Sequence, residues 1–299
     1  MKKSSGSSNQ DRPRIAAAIP AFNEESYIGT IVLKTSQYVD ETIVVDDGST
    51  DRTADVARLA GATVIQHGHN RGYGASIKSL LAEAKKRNFD ILVLLDADSQ
   101  HNPDEIPELI KPISEGYDLV IGSRYEQKEN IPRYRRIGQK VIGYFSKVLS
   151  GENLSDSESG FRVFSRKAIN MLELQENGMA ISAETIARAA EKGLKITERP
   201  ISIRYTADGS TLNPVVHGFS VLGRIIVMIS EKRPLFFFGI GGVVSIILGI
   251  LAALRAFSIV MGGGGAVSGY TLIAILLFFI GVLSIFTGII LNVLIKRRD

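Results

Sequence analysis

The chain of 299 residues contains no cysteine, which excludes disulfide bonds and thiolate metal sites and fits a reducing compartment. Its net charge is only +4, so a general nucleic-acid-binding protein is not favoured and no nucleic-acid partner is predicted. Residues 1–13 lack apolar periodicity and the apolar core of a secretory signal, and they are predicted to form a flexible tail. The length leaves room for one or two domains with a full core.

The glycine-rich fingerprints of nucleotide-binding loops are also missing. Gly72-Tyr73-Gly74 would need a third glycine where the chain has Ile77, and Lys78-Ser79 lacks the glycine that precedes the lysine of a P-loop. Nucleotide binding would therefore use side chains and a metal rather than a glycine-rich cradle. Residues 70–74 either let the backbone approach a ligand or only form a turn that enters a helix.

Two long apolar runs are present, at residues 235–254 and 272–291. Each has about 20 residues and spans about 30 Å, the thickness of the hydrocarbon core of a bilayer. Two buried helices of a soluble protein are the alternative, which the length and the all-round apolar character of the runs disfavour. Residues 234–299 are therefore predicted to form a transmembrane hairpin.

The charges that flank the two runs predict an orientation. Lys232 and Arg233 precede the first run and residues 296–298 follow the second, whereas the connection has only Arg255 at its edge. By the positive-inside rule both ends of the hairpin face the cytoplasm. We therefore predict an integral membrane protein whose termini and remaining domain are cytoplasmic, with a basic tail.

Residues 14–213 are predicted to form one α/β domain. Up to residue 124, short apolar runs alternate with helical patterns, beginning with a strand at 15–19 and a helix at 24–38. This alternation indicates a mostly parallel sheet with helices on both faces. Such sheets bind ligands at the carboxyl ends of their strands, where the first candidates for a site must lie.

The most prominent of these strand ends is Asp96-Ala97-Asp98-Ser99-Gln100, which follows the apolar run 91–95. If both acids lie on the strand, their spacing of two residues points them the same way. Paired carboxylates at such a position suit Mg²⁺ or Mn²⁺ with a phosphate completing the coordination. The alternative is that they cap a helix that starts near Pro103.

Polar clusters also end other predicted strands, at residues 20–25, 46–51 and 122–124. Glu24 and Asp47 could accept hydrogen bonds from a ribose or a base. For the last three residues of the second cluster, Ser-Thr-Asp, helix capping is the preferred interpretation. His101 is predicted to lie at a helix entry or on the surface rather than to bind a metal.

Six motifs follow one another in the order seen in family-2 glycosyltransferases: residues 20–25, 46–51, 70–74, 96–100, 122–124 and 159–162. The match covers about residues 14–235. The chain resembles most closely the polyprenyl-phosphate (dolichyl-phosphate) mannosyl- and glucosyltransferases, some of which carry a similar hairpin. The resemblance implies a GT-A fold, which is a Rossmann-like, mostly parallel sheet flanked by helices.

The resemblance also implies an activity and its residues. The activity is inverting transfer of one sugar from a nucleoside diphosphate sugar to polyprenyl or dolichyl phosphate. Asp96, Asp98 and Gln100 resemble the family's metal ligands for Mg²⁺ or Mn²⁺, with Asp98 also assigned to catalysis. The residues assigned to the nucleotide sugar are Pro20, Phe22, Glu24, Asp47, Asp96, Ala97, Asp98 and Arg204.

One departure from the family bears on the donor. Members that use GDP-mannose often carry an arginine and then Ser-Lys after the last core strand, whereas residues 205–212, which follow Arg204 here, contain no lysine. A UDP-sugar such as UDP-glucose or UDP-GlcNAc is therefore slightly preferred over GDP-mannose.

The acceptor side is predicted to be basic and to lie at the membrane. Arg124, Arg135 and Arg136 are the candidates for binding the acceptor phosphate, because a guanidinium binds phosphate through two hydrogen bonds. Asp156 either orients the acceptor or acts as a base, and a loop cap is the alternative. A basic amphipathic helix within residues 133–148 and a juxtamembrane one at 214–233 are predicted to lie at the membrane surface.

Two rival functions come from other classes. A processive polysaccharide synthase would share the fold, but that subgroup carries a Gln-x-x-Arg-Trp motif and this chain has no tryptophan. A non-catalytic membrane scaffold is disfavoured because Asp96, Asp98 and Gln100 are retained. The predicted partners are a nucleoside diphosphate sugar, polyprenyl phosphate and the bilayer, with a homo-oligomer as one option for assembly.

Overall fold

A computed structural model describes residues 12–124, 154–202, 223–263 (apart from 224, 225, 228, 231 and 232) and 268–296. The chain divides into two compact units, Met1–Leu222 and Gly223–Asp299. Several predictions lie outside the described residues. They are the tail before residue 12, the basic helix with Arg135 and Arg136, Arg204, most of the juxtamembrane helix and the last three residues of the basic tail.

The first unit contains a seven-stranded sheet in the order β3-β2-β1-β4-β6-β5-β7. The strands are β1 (Ile15–Ala21), β2 (Glu41–Asp46), β3 (Thr63–Gln66), β4 (Ile91–Leu94), β5 (Leu119–Ser123), β6 (Arg162–Ser165) and β7 (Ile196–Pro200). All neighbouring strands are parallel except β6, which runs antiparallel to both β4 and β5. The predicted mostly parallel sheet is confirmed.

Helices cover both faces of this sheet. They are α1 (Ile28–Thr35), α2 (Thr53–Leu59), α3 (Tyr73–Lys86), α4 (Ile106–Ser114), α5 (Arg166–Met171) and α6 (Ile181–Glu191). In β1, Ala16 and Ala18 share one core cluster with α3, α5 and α6, whereas Ala17 and Ile19 share the other with α1, α2 and α4. The central strands β1 and β4 are apolar along their whole length because helices bury both of their faces.

The strand order reverses at β1, and this reversal determines where a ligand can bind. Strands β2 and β3 lie on one side of β1 and β4 lies on the other, with α1 and α2 on one face and α3 on the opposite face. A crevice opens at such a point, outside the carboxyl ends of the strands. Because β6 is antiparallel, the residues that precede it lie at this same edge.

The second unit contains two long antiparallel helices, α7 (Pro234–Met261) and α8 (Ser268–Lys296). Both are long and apolar enough to cross a membrane, and most of their large apolar side chains are exposed. They pack through small residues: Gly242 and Gly249 of α7 lie against the backbone of α8 at Gly281 and Ala274. The Ser284 hydroxyl donates a hydrogen bond of 2.8 Å to the carbonyl of Phe238. The predicted two-helix hairpin is confirmed, and its orientation stays a prediction.

Gly242→Ile is expected to separate the two helices. A Cβ at Gly242 would lie 2.6 Å from the Gly281 carbonyl oxygen, so the larger side chain forces the backbones apart at a cost of about 1–3 kcal/mol. The chain has no cysteine, so a single pair of cysteines introduced at Gly241 and Ser284 can report this contact. The yield of the disulfide between them in oxidised membranes should fall in Gly242→Ile. Gly239→Ile is the control, since a Cβ at Gly239 meets no atom of the described residues within 4 Å. Equal disulfide yields in the two variants would contradict the packing.

Candidate functional site

The two acids of the D-x-D stretch lie beyond the strand that leads to them. Strand β4 ends at Leu94, so neither acid lies on the strand and the condition for their alignment by strand geometry is not met. A turn brings them together instead: Ser99 has a φ of 61°, and the Gln100 N–H donates to Asp98 Oδ1 at 3.0 Å. Burial and the negative charge of Asp96 raise the pKa of Asp98, which indicates two neighbouring carboxylates.

The alternative role of the pair as a helix cap is contradicted. The turn that precedes α4 begins at Pro103, and its cap is Asn102, whose side-chain oxygen accepts a hydrogen bond of 3.3 Å from the Asp104 N–H. Neither Asp96 nor Asp98 is therefore needed to start that helix.

Asp96 is held from two sides. The Tyr73 hydroxyl donates to Asp96 Oδ1 at 2.8 Å, and Gly160 lies so close that a Cβ there would be 2.3 Å from Asp96 Oδ2. The Asp96 N–H donates to His101 Nδ1 at 3.3 Å, and the His101 ring stacks on Phe161 with the centroids 5.1 Å apart. His101 is buried, so a surface position is wrong, and its role here is to pack and to accept that hydrogen bond.

Glu24, which follows β1, lies near the two acids that follow β4, because β1 and β4 are parallel neighbours in the sheet. Its pKa rises from the ordinary 4.5 to about 7, because it is partly buried and because Asp98, Asp51 and Asp96 repel its negative charge. Of the other residues assigned to the nucleotide sugar at these two strand ends, Pro20 and Ala97 are buried and Phe22 is exposed. Their contact with a nucleotide stays a prediction.

Asp47 has a structural function that the sequence did not reveal. Its carboxylate is buried. The Oδ1 atom is 2.6 Å from His67 Nδ1 and accepts a hydrogen bond of 3.0 Å from the Arg71 N–H. The Oδ2 atom accepts one of 2.8 Å from the Gly72 N–H. Both oxygens therefore hold the turn that enters α3. A contact between Asp47 and a nucleoside stays a prediction.

The loops that follow β1 and β2 are joined by hydrogen bonds. The N-cap of α2 is Arg52, without a side-chain cap, and Asp51 Oδ1 accepts from the N–H and the hydroxyl of Thr53, the first residue of the helix, from the position before that cap. Ser49 and Thr50 instead bind the other loop: the Asn23 N–H donates to Ser49 Oγ, and the Thr50 N–H donates to Asn23 Oδ1, both at 2.9 Å. These contacts fix the position of Glu24 at the edge of the sheet.

On the acceptor side, Arg124 and Asp156 form a two-pronged ion pair. Arg124 Nε is 2.5 Å from Asp156 Oδ2, Nη2 is 2.7 Å from Oδ1, and the Arg124 N–H also donates to Oδ2. Burial alone would raise the pKa of Asp156, but the hydrogen bonds and the charge of Arg124 lower it. A carboxylate with a lowered pKa is a weak base, so the geometry favours the orienting role of Asp156.

Two buried charged residues, Glu158 and Arg162, lie near this pair, and neither had a predicted role. The Arg162 guanidinium is fully buried and donates to the carbonyls of Ser157, Ser159 and Ser182 at 2.8–2.9 Å. Burial raises the pKa of Glu158 to about 7 although Arg162 and Arg124 oppose the rise. Both residues belong to the segment around the Ser-Gly-Phe-Arg motif, so the motif was visible in the sequence but its buried charges were not.

Glu158→Gln is expected to reduce the loss of stability that accompanies a rise in pH. A folded-state pKa of about 7 against 4.5 means that folding retains a proton on Glu158, so the contribution of this residue to stability is fully present below about pH 4.5 and is lost as the pH rises to about 7. Thermal midpoints of the full chain in detergent and chelator, measured at pH 5 and pH 8, should differ less in this variant than in the wild type. The pKa of Glu24 is raised as well, so part of the difference between the thermal midpoints at pH 5 and pH 8 should persist in the variant. Exposed Glu108→Gln is the control, and equal pH dependence in both variants would contradict the expectation.

The acids fit a divalent cation only as part of a larger coordination shell. No group of three or more His, Cys, Asp or Glu side chains suited to a metal occurs in the described part of the chain. Asp96 and Asp98 are hard oxygen donors whose mutual repulsion a cation would relieve. Mg²⁺ is commonly bound through one or two carboxylates, with substrate phosphates and water supplying the other ligands. The site therefore suits a metal that arrives with a diphosphate.

Comparison with known proteins agrees with this geometry. Residues 17–172 match the model of Glycosyl transferase family 2. A dolichyl-phosphate hexose transferase of Haloferax volcanii is 30% identical over 73% of this chain and 95% of its own length. A UDP-N-acetylglucosamine–dolichyl-phosphate N-acetylglucosaminyltransferase of Methanococcus voltae is 31% identical over 70% and 94%.

A solved structure shows the same fold. Glucosyl-3-phosphoglycerate synthase of Mycobacterium tuberculosis, crystallised with Mn²⁺ and UDP-glucose, superposes with a TM-score of 0.59 at 24% identity. The superposition covers 72% of this chain and 79% of that one. The likeness supports the GT-A architecture that the motifs predicted.

Proposed function

The chain belongs to glycosyltransferase family 2, and from this premise we propose that it transfers a single sugar from a nucleoside diphosphate sugar to a polyprenyl phosphate. The observation that carries the proposal is the arrangement at one edge of the sheet. Asp96 and Asp98 follow β4, Arg124 follows β5, and the segment before β6 contacts both sides through Gly160 and Asp156. Acids suited to a metal–diphosphate thus follow β4, and a cation suited to a phosphate follows β5, the two strands on either side of β6.

Asp96, Asp98 and Gln100 would hold Mg²⁺ or Mn²⁺ on the donor side. When bound there, the cation neutralises the charge that develops on the leaving diphosphate. Phe22, Glu24 and Asp98 are the residues that the site offers to the rest of the donor. Crystallisation of the mycobacterial synthase with Mn²⁺ and UDP-glucose supports a divalent cation for this fold.

On the acceptor side, Arg124 would bind the phosphate and Asp156 would keep the guanidinium oriented. A phosphate is already anionic at neutral pH, so its oxygen can attack the anomeric carbon with little help from a base. A new C–O bond forms on one face while the bond to the nucleoside diphosphate breaks on the other, which inverts the anomeric centre. Arg135 and Arg136 join these residues as proposals from the sequence, whereas Arg204 is proposed for the donor side.

A UDP-sugar is the preferred donor. Residues 205–212, directly after Arg204, contain no lysine, and the relative from Methanococcus voltae is named for UDP-N-acetylglucosamine. For location, we propose that α7 and α8 anchor the protein with both termini in the cytoplasm, on the basis of the flanking Lys232, Arg233 and residues 296–298. The predicted interface helices would then lie at the cytoplasmic leaflet.

The test is to reconstitute the full chain in membranes with polyprenyl phosphate and a panel of labelled UDP- and GDP-sugars, with and without Mn²⁺. We expect a lipid product that carries one sugar, requires a divalent cation and has the anomeric configuration opposite to that of the donor. A long polymer would indicate the processive synthase. No lipid-linked product with any donor would favour the scaffold and overturn the proposal.

A further inference from the structure

We propose that Tyr73 is a positioning residue for Asp96, and that the 175–178 loop completes the donor site by fixing Tyr73 in place. The inference deepens the proposed function and rests on it, since it concerns the carboxylate assigned to the metal. It adds two parts to the donor site. Tyr73 begins α3, and the 175–178 loop lies between α5 and α6, whereas the described residues predicted for the site lie at or after the ends of β1, β2, β4 and β5.

The contacts of Asp96 leave its carboxylate little freedom. The Tyr73 hydroxyl donates to Oδ1 at 2.8 Å, and Gly160 fills the space beside Oδ2, where a Cβ would lie at 2.3 Å. A hydrogen bond to an ionised acceptor is stronger than one between neutral groups. Tyr73 therefore sets the rotation of the carboxylate, and with it the direction in which its oxygens meet a cation.

Tyr73 itself is fixed because the first turn of α3 is pressed against the 175–178 loop. The Asn177 carbonyl accepts hydrogen bonds from the Gly74 N–H at 2.7 Å and from the Ala75 N–H at 3.3 Å. A Cβ at Gly74 would lie 2.6 Å from the Glu176 carbonyl oxygen, so only glycine permits this approach. The amides that begin α3 are thereby capped by protein.

Helix α6 in turn fixes the 175–178 loop through Glu184. The buried Glu184 carboxylate accepts from the N–H groups of Gln175 and Glu176, the shortest contact being 2.8 Å. Lys78 of α3 donates to the Gln175 carbonyl at 3.0 Å and to Asn177 Oδ1 at 2.5 Å. A continuous series of contacts thus leads from Glu184 through the loop and Tyr73 to Asp96.

Tyr73→Phe tests the inference without changing the size of the ring. Isothermal titration with Mn²⁺ in the presence of UDP should give a Kd about 10- to 100-fold above that of the wild type, the usual effect of removing a partner that orients a metal ligand. The thermal midpoint of the metal-free protein should change little. Tyr38→Phe is the matched control, because it removes a tyrosine–aspartate hydrogen bond of 2.9 Å at the surface and should leave the Kd unchanged.

Gly74→Ala is a second variant, which should raise the same Kd by displacing Tyr73 while the hydroxyl is retained. Gly68→Ala is its control, since a Cβ there meets no described atom within 4 Å. If the wild type binds Mn²⁺ with UDP and Tyr73→Phe binds it equally well, the positioning role is overturned and the proposed function stands. If the wild type neither binds Mn²⁺ with UDP nor transfers a sugar, both are overturned.

Discussion

Asp98→Asn is expected to lower the rate of sugar transfer by about a hundred- to a thousandfold while making the metal-free protein more stable. Stabilisation of the charge that develops on a leaving group has an effect of this size, and the variant removes one of two carboxylates that would hold the cation. The gain in stability has a separate cause. The pKa of Asp98 is raised by burial and by Asp96, so its ionised form is unfavourable in the folded state, and a neutral amide relieves that cost.

The two effects can be measured on one preparation. Transfer is assayed with Mn²⁺, and the thermal midpoint is measured at pH 7.5 in chelator. Asp55→Asn is the control, because Asp55 is exposed and pairs only with Arg58 in the described contacts, so neither quantity should change appreciably. An Asp98→Asn protein that transfers sugar at the wild-type rate would remove Asp98 from the mechanism.

Arg124→Gln is expected to lower kcat/KM for the polyprenyl phosphate by about 10- to 150-fold, because a hydrogen bond to a charged group contributes about 1.5–3 kcal/mol. The loss should appear mainly in the KM for the lipid and leave the KM for the donor nearly unchanged. Arg166→Gln is the control, since it breaks a surface ion pair with Asp90. Equal values of kcat/KM in Arg124→Gln and the wild type would exclude Arg124 from acceptor binding.

Asp156→Asn separates the two roles that the sequence left open for this residue. If Asp156 orients Arg124, the amide keeps one hydrogen bond to the guanidinium, the KM for the lipid rises and the dependence of kcat on pH keeps its shape. If Asp156 is a base, kcat itself falls strongly, and the decrease of kcat at low pH that the wild type shows disappears from the pH profile. The ion pair with Arg124 favours the first result.

Periodicity and strand-end chemistry were enough to predict the α/β fold, the edge that carries the site and the hairpin. The apolar run at residues 91–95 became β4 almost as predicted, because a strand buried on both faces leaves a strong apolar signal. The first helix is shorter than predicted, Ile28–Thr35 rather than 24–38, since the residues before it form the loop that presents Glu24.

The antiparallel course of β6 could not be predicted, because its sequence shows only a short buried strand and strand direction depends on partners distant in the chain. The contacts of Gly160 with Asp96 and of Asp156 with Arg124 follow from that direction. The role of Asp47 was missed for a similar reason. An acid after a strand looks the same in sequence whether it faces a ligand or accepts hydrogen bonds from His67 and two backbone amides.

The position of β6 also determines when the site can assemble during synthesis. Leu94 pairs with Arg162, so β4 and β5 are made long before the strand that lies between them. A nascent chain that ends at Ser123 therefore exposes one edge of β4 and both edges of β5 without their partners, and such edges are prone to aggregate. Contacts so distant in sequence slow folding, and chains emerge at only about 5–20 residues per second. The donor and acceptor sides should consequently mature in one late step, shortly before the apolar helices leave the ribosome.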